Sequence, residues 1–241
     1  SPERFAREWE ASFDASVLSV YPHFARQLHI RPIEEGLRFV DGAFGADYGR
    51  VHKSAAVAVS RDQYGRRWVR EAWGQPDEEH GDQTARTVAH FRQRYSLPRG
   101  RVDPTQDTLI GVLGKYAIHT AHLAEGPRQA RVEKVGRLLN VFPGGRVPDL
   151  VRELHEGPHL LREHGPWEQP DSPGLLFVEG AAGINELAAQ IEAYHYVERV
   201  TEAAQGYVVA RIDDDLVAAL EYAIEELATP YSDLTQALPS L

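Results

Sequence analysis

The order of strand-like and helix-like segments constrains the fold of this chain more than any other feature. Three apolar segments come first, at 37–43, 54–60 and 66–72, and the turn between the second and third predicts a hairpin. Amphipathic helices then alternate with short strands. The helices are predicted at 82–95, at 105–113, after Pro127, at 183–194 and from Asp214. The short strands are predicted at 100–103, 116–120 and 175–178. A second hairpin is predicted from 197–200 and 207–211. This order predicts an α/β domain with a mixed central sheet and helices on both faces.

The length of 241 residues fits one large domain with a short appendage. We interpret residues 1–32 as a lead-in or linker segment and residues 33–241 as the main domain. The lead-in carries aromatic residues on one helical face, at Phe5, Trp9 and Phe13. Methionine is absent, including at position 1. We therefore expect that the chain begins inside a longer protein or after processing.

The composition argues against several classes of protein. Cysteine is absent, which excludes disulfides and thiolate metal sites. No apolar run reaches the roughly 18 residues that a membrane-spanning helix needs. The sequence also lacks a Gly-x-x-x-x-Gly-Lys-Ser/Thr phosphate loop and the nucleophile elbow of serine hydrolases. The net charge of −10 argues against a generally basic surface for nucleic acid, although it allows a local basic face.

Three short acidic segments are the candidate functional residues. Asp41 and Asp103 each follow a short strand-like run, and the run of aspartates at 213–215 opens the last amphipathic helix. Carboxylates at strand ends and at a helix start can converge on one edge of an α/β sheet. Oxygen ligands of this kind suit Mg²⁺ or Mn²⁺, and two such ions can drive phosphodiester cleavage. The pattern therefore predicts a metal-dependent nuclease.

Two ambiguities remain within these segments. Asp47, in the sequence Ala-Asp-Tyr-Gly, can serve as the first acidic residue instead of Asp41. In the third segment we favour Asp214 or Asp215 over Asp213, because the apolar helix starts immediately after them. Each aspartate has an alternative, purely structural interpretation as a helix N-cap or a turn residue.

The basic residues beside the acidic segments also have two interpretations. Arg99 and Arg101 flank the second acidic segment, and Arg50, His52 and Lys53 follow the first. These side chains could contact the phosphates of a nucleic acid. They could equally be solvated charges at the edge of a strand.

The same segments resemble the nuclease domain of large terminase subunits, the motors that package DNA into viral capsids. The resemblance extends over most of the chain. Its segments are Glu3–Phe13, Phe39–Gly45, Arg101–Pro104, Asn185–Leu187, Gln190–Tyr194 and Asp213–Ala223. It implies a ribonuclease H-like fold, in which the first and fourth strands lie side by side and Asp41 and Asp103 would be neighbours. It also implies that residues 33–241 are the nuclease domain and that the ATPase lies outside this chain.

The resemblance implies a function and a site. The function is endonucleolytic cleavage of double-stranded DNA, with low sequence specificity, during viral genome packaging in the host cell cytoplasm. The implied catalytic residues are Asp41, Asp103 and Asp215. The implied ligands of two Mg²⁺ or Mn²⁺ ions are Asp41, Asp103, Asp214 and Asp215, with Asp47 as an additional candidate. The implied partners are double-stranded DNA, the upstream packaging ATPase domain, the portal and the small terminase subunit, without a membrane.

Two other functions stay open from the sequence. One is a different ribonuclease H-like nuclease, such as a junction resolvase or a recombinase core. The other is a non-catalytic docking module of a packaging complex, whose aspartates only cap helices and face solvent. Metal binding separates the docking module from both nucleases, because only the nucleases need the carboxylates to hold a cation.

Overall fold

The computed structural model describes residues 19–49, 53–76, 81–103, 107–124, 126–142, 171–200, 205–209 and 214–228. Residues 1–18 of the predicted lead-in and Asp213 lie outside the described residues. The helices are α1 (Arg26–His29), α2 (Asp82–Tyr95), α3 (Asp107–Lys115), α4 (Arg128–Leu138), α5 (Ile184–Ala193) and α6 (Asp215–Leu227). The strands are β1 (Ile30–Arg31), β2 (Phe39–Asp47), β3 (Lys53–Asp62), β4 (Arg67–Pro76), β5 (Arg99–Val102), β6 (Ala121–Leu123), β7 (Val141–Phe142), β8 (Ser172–Pro173), β9 (Leu175–Val178), β10 (Tyr196–Val200) and β11 (Gln205–Val209).

Seven strands form the main sheet, in the order β1-β9-β4-β3-β2-β5-β6. β3 runs antiparallel to β2 and to β4, whereas β1, β9, β4, β2, β5 and β6 run parallel to one another. The predicted hairpin of β3 and β4 is therefore confirmed, and so is the mixed sheet. β2 and β5, the first and fourth strands of the predicted order, are direct neighbours.

Both faces of this sheet are covered by helices, as the sequence predicted. Alternate residues of β3 point to opposite faces, since side chains in a strand alternate. Val57 and Val59 join the core under α4, α5 and α6, whereas Ala56 and Ala58 join the core under α2 and α3. Helix α6 lies centrally, against β2 and β3, with α4 and α5 beside it. It is the helix that covers the middle of the sheet.

β2 is longer than predicted, and this difference decides where its carboxylates lie. The predicted strand at 37–43 ended at glycines, but β2 continues through Gly42 and Gly45 to Asp47. Gly45 marks a close approach between backbones: a Cβ atom there would lie 1.8 Å from the carbonyl oxygen of Ala219 in α6. The glycine thus allows the helix to lie directly on the strand; it does not end the strand.

Two other predicted strands lie elsewhere. The strand predicted at 116–120 is wrong: β6 begins at Ala121, and Ala117 has a φ of 55° in a turn that ends α3. Ile118 is buried in this turn, which explains why the segment is apolar. The second hairpin exists, but it pairs Tyr196–Val200 with Gln205–Val209. Gln205 and Gly206, predicted to be its turn, lie in the second strand instead.

Part of the predicted lead-in is built into the folded domain. The Val20 amide donates a hydrogen bond to the carbonyl of Tyr194, at 2.9 Å. Ile30 and Arg31 form β1, an edge strand of the main sheet that pairs with β9. The domain boundary at residue 32 stays a prediction, but residues 19–31 belong to this fold. Among the described helices, none combines the length and the hydrophobicity that a membrane-spanning segment requires.

Candidate active site

β2 and β5 end side by side, and each end carries a carboxylate. Ala46 pairs with Val102 in parallel register. Asp47 is the last residue of β2, and Asp103 directly follows β5. Because parallel neighbours end at the same edge of a sheet, these two aspartates lie together at the carboxyl edge, where α/β sheets bind ligands.

Two further carboxylates reach this edge from the start of α6. Asp214 occupies the N-cap position of the helix, and Asp215 is its first residue. Burial raises the pKa of Asp47 to about 7, helped by the negative charges of Asp103, Asp215 and Asp214. Mutual repulsion of this kind requires neighbouring like charges. We call Asp47, Asp103, Asp214 and Asp215 the carboxylate cluster.

The carboxylate cluster has the chemistry of a divalent-cation site. Within the described ranges, no three His, Asp or Glu side chains lie close enough to enclose an ion as they stand. The charges of Asp103, Asp214 and Asp215 nevertheless act on Asp47. Rotation about the side-chain bonds can bring these carboxylate oxygens together without moving the backbone. Carboxylate oxygens suit Mg²⁺ and Mn²⁺. A bound cation would also relieve the repulsion that raises the pKa of Asp47, so the residues fit such an ion.

Side chains of helices α4 and α6 bind two members of the cluster. The hydroxyl of Tyr222 donates a hydrogen bond to Oδ2 of Asp103, at 3.0 Å. Burial, and then the charges of Asp47 and Asp103, raise the pKa of Tyr222, so its phenol keeps the proton that it donates. Arg128, at the start of α4, forms an ion pair with Asp214. Asp103 and Asp214 are therefore each bound by a polar side chain, Tyr222 or Arg128, that is packed within the domain.

A buried glutamate anchors Arg128. Glu221 is 1% exposed and accepts hydrogen bonds from Tyr21 at 3.0 Å and from Tyr194 at 3.1 Å. Its other carboxylate oxygen lies 3.3 Å from Nε of Arg128. Buried charges are stable only when they are paired and hydrogen-bonded. The N-terminal segment, α4 and α6 are thus joined through one polar network that ends at Asp214.

Asp41 lies at the opposite end of β2. Its carboxylate accepts a hydrogen bond from Arg99 at 2.9 Å, and Arg61 lies at 3.6 Å. Six residues separate Asp41 from Asp47, which is about 20 Å along an extended strand. The prediction that Asp41 and Asp103 are neighbours is therefore wrong. The physical reason is the continuation of β2 through Gly45, which places Asp47 at the carboxyl edge.

The arginines beside the second acidic segment have neither of the predicted environments. Arg99 and Arg101 are 2% and 8% exposed, so they are neither solvated nor placed on the surface for a phosphate. Nε of Arg101 lies 2.9 Å from Glu226, and Arg99 pairs with Asp41. Helix α6 buries acidic residues against the sheet, and the arginines of β5 neutralise them there.

Tyr222, Arg128 and Glu221 belong to the site but were not among the predicted functional residues. One signal was present for Tyr222: it lies seven residues after Asp215, which is two helical turns, so both residues share one face of α6. No local pattern identifies Arg128 or Glu221, because their partners are far away in the sequence. Asp215 lies in the cluster, as predicted, and its role as a ligand stays a prediction.

The raised pKa of Asp47 predicts how stability depends on pH. The folded protein binds the Asp47 proton more tightly than the unfolded chain, so the metal-free protein loses stability as the pH rises from about 4 to about 7. The shift from 3.8 to about 7 corresponds to roughly 4 kcal/mol. Since solvent reaches part of this side chain, we expect about 1–2 kcal/mol.

Urea unfolding of metal-free protein at pH 5 and pH 8 measures this effect, with Asp47→Asn as the comparison. Between pH 5 and pH 8 the free energy of unfolding should fall by about 1–2 kcal/mol more in the wild type than in the variant. The reason is that only the wild type has a carboxyl group at position 47 to ionise. An equal loss in both proteins would show that Asp47 titrates normally.

Comparisons with solved structures give this fold a context. No protein family and no curated protein matches the sequence. A large terminase from a thermophilic bacteriophage is similar in structure, with a TM-score of 0.60 and 12% identity over 88% of this chain and 47% of that chain. The same terminase in complex with ATP-γ-S gives a TM-score of 0.61 at 12% identity, over 86% of this chain and 45% of that chain. This chain therefore spans about half the length of that large terminase.

A second comparison matches a chain of similar extent. The large terminase nuclease of the thermophilic phage G20c, with bound magnesium, has a TM-score of 0.51 and 15% identity. The match covers 87% of this chain and 97% of that chain. The fold is thus that of large terminase nuclease domains, and the predicted ribonuclease H-like class is confirmed.

Proposed function

We propose that this chain is a terminase nuclease domain that cleaves double-stranded DNA at the carboxylate cluster during viral genome packaging. The observation that carries this proposal is the convergence of Asp47, Asp103 and Asp215 at the carboxyl edge of the sheet, where burial and then the charges of the other aspartates raise the pKa of Asp47 to about 7. The similarity to terminase nuclease domains supports the reaction class.

Asp47, Asp103 and Asp215 would hold Mg²⁺ or Mn²⁺, and Asp214 would be a further oxygen donor. Bound ions, two by our proposal, would activate a water and stabilise charge on the attacking and leaving oxygens. The protein contributes position: the strand ends fix Asp47 and Asp103, and the start of α6 fixes Asp215. A negatively charged cluster also repels a phosphate, so we expect productive DNA binding only in the presence of the cation.

The environment of the two arginines of β5 favours low sequence specificity. Arg99 and Arg101 are buried in ion pairs with α6 and Asp41, which leaves these two arginines without access to base edges. Recognition of a particular sequence needs side chains that read those edges. We therefore propose that cleavage depends on the delivery of DNA and not on a recognition sequence.

The proposed partners follow from the length comparison. The match covers 47% of the first large terminase described above, and one structure of that terminase is a complex with ATP-γ-S. We propose that a packaging ATPase domain precedes this domain, and that the portal and the small terminase subunit complete the assembly in the host cell cytoplasm. Tethering to such a motor would raise the local concentration of DNA at a domain whose net charge is −10.

A plasmid-nicking assay tests the proposed reaction. The chain should nick supercoiled DNA with Mn²⁺ or Mg²⁺ and should lose this activity completely in excess chelator. Without a cation, nothing in the cluster activates the water or neutralises the charge on the phosphate oxygens. Asp103→Asn protein, purified in parallel, controls for contaminating nucleases. Undiminished cleavage by metal-free protein in chelator would overturn the proposal.

The same preparation separates the alternatives. A junction resolvase would cleave a four-way junction much faster than a linear duplex of equal length. A docking module would show neither cleavage nor any rise of the melting temperature with Mn²⁺, since ligands that bind the native state stabilise it. The proposed function requires the Mn²⁺-dependent rise together with cleavage of ordinary duplex.

A further inference from the structure

Tyr222 makes a direct contact with the carboxylate cluster and has no role in the proposed reaction. Its side chain is 5% exposed, on the face of α6 that turns towards the end of β5. The phenol hydroxyl lies 3.0 Å from Oδ2 of Asp103. A buried hydroxyl with a charged acceptor at this distance forms a strong, directional hydrogen bond.

The ring of Tyr222 is held on several sides. It packs with Ala124 and Ala218 in a small buried group. The guanidinium of Arg131 lies over the ring, 5.2 Å from its centroid. The helix that carries Tyr222 packs closely on the backbone of β2 at Gly45. The hydroxyl is therefore a fixed donor, placed by the core of the domain.

This contact engages one of the two oxygens of Asp103. With Oδ2 bound to the phenol, the rotation of the carboxylate is restricted. Hydrogen bonds from surrounding side chains fix the orientation of metal ligands, and their loss typically lowers metal affinity or activity about 10–100-fold. Tyr222 would thus affect cation affinity through the orientation of Asp103, without contacting the cation itself.

We infer that Tyr222 is a positioning residue that orients Asp103 for cation binding. The inference rests on the proposed function, since it assumes that Asp103 holds the cation. Tyr222 acts through Asp103 and not on the DNA. Its loss should therefore weaken cation binding and slow cleavage at a fixed cation concentration, without changing the KM for DNA at saturating cation.

The replacement Tyr222→Phe tests this inference, because it removes only the hydroxyl and leaves the ring in its pocket. A matched control exists within the chain: the hydroxyl of Tyr116 donates to Oδ2 of Asp82 at 2.8 Å, a bond of the same type outside the cluster. Calorimetric titration with Mn²⁺ should give a dissociation constant about 10-fold higher for Tyr222→Phe. Tyr116→Phe should stay within about twofold of the wild type.

Two further measurements make the result decisive. The melting temperature of each metal-free variant reports on folding, and the Mn²⁺-induced rise in that temperature gives a second measure of binding. Equal Mn²⁺ affinity in Tyr222→Phe and wild type would overturn the inference alone. Wild-type protein that binds no Mn²⁺ would overturn the proposed function with it, and Mn²⁺ binding without cleavage would overturn the proposed function only.

Discussion

Asp47→Asn should reduce plasmid cleavage about 1000-fold or more, whereas Asp41→Asn should cleave at nearly the wild-type rate. Asparagine keeps the shape of the side chain but removes the charge that would hold a cation at the carboxyl edge. A loss of this size corresponds to roughly 4 kcal/mol of transition-state stabilisation. Asp41 lies at the other end of β2, paired with Arg99, so its charge does not reach the reaction.

The two variants should differ in stability with opposite signs. Asp47→Asn relieves repulsion within the carboxylate cluster, so the metal-free variant should be more stable than wild type at pH 8. Asp41→Asn removes the charge of a partner 2.9 Å from Arg99, which is 2% exposed. We expect this variant to lose about 1–3 kcal/mol, the usual contribution of a hydrogen bond between charged groups.

Plasmid-nicking rates and urea unfolding, measured on both proteins, check these outcomes together. An Asp47→Asn protein that cleaves normally would show that the carboxylate cluster is not the active site. If Asp41→Asn alone lost cleavage while remaining folded, the first acidic segment would have to be reassigned to Asp41.

Gly45→Ala should strongly destabilise the domain. Its Cβ would lie 1.8 Å from the carbonyl oxygen of Ala219 and 2.6 Å from the amide nitrogen of Ala223. Both are backbone atoms of a buried helix, so no side chain can move aside. Helix α6 would have to shift away from β2, at a cost of about 3 kcal/mol or more.

Gly136→Ala is the matched control for this prediction. Gly136 lies within α4, and a Cβ atom there would meet nothing within 4 Å. Alanine in a helix is more favourable than glycine by about 0.5–1 kcal/mol, so this variant should be equal to or slightly more stable than wild type. Thermal and urea unfolding compare the two. A Gly45→Ala protein within about 0.5 kcal/mol of wild type would contradict the contact between α6 and β2.

The sequence was sufficient for the elements that depend on local patterns. β3 and β4 each contain short apolar runs and are joined by a turn, and α2, α5 and α6 carry one apolar face each, so their positions were predicted closely. The adjacency of β2 and β5 was implied by the resemblance to a ribonuclease H-like fold, with which the predicted order of elements agrees. The end of β2 could not be predicted. A glycine such as Gly45 looks the same in the sequence whether it ends a strand or allows a helix to pack against the strand backbone. Only the packing of α6, far away in the sequence, distinguishes these cases.

The contacts of the β5 arginines and of the cluster could not be predicted for a similar reason. Arg99 and Arg101 are of a residue type that usually faces solvent, and their burial depends on the acidic residues that α6 carries into the core. Tyr222 had a weak signal in its helical spacing from Asp215. The link from Tyr21 through Glu221 and Arg128 to Asp214 joins residues up to 200 positions apart, and no periodicity contains that information.

The contact between Gly45 and α6 also sets the order in which this domain can be assembled. Residues 45 and 219 are far apart in the chain, so the contact closes a very long loop and forms late, since such closures are slow. β2 and β5 can pair once the chain through residue 103 has left the ribosome, but the sheet then lacks the helix that covers its centre. A nascent chain at that stage holds Asp47 and Asp103 without Asp215 or Tyr222. The candidate site is therefore completed only when α6 has left the ribosome, and an unfinished copy carries only half of it.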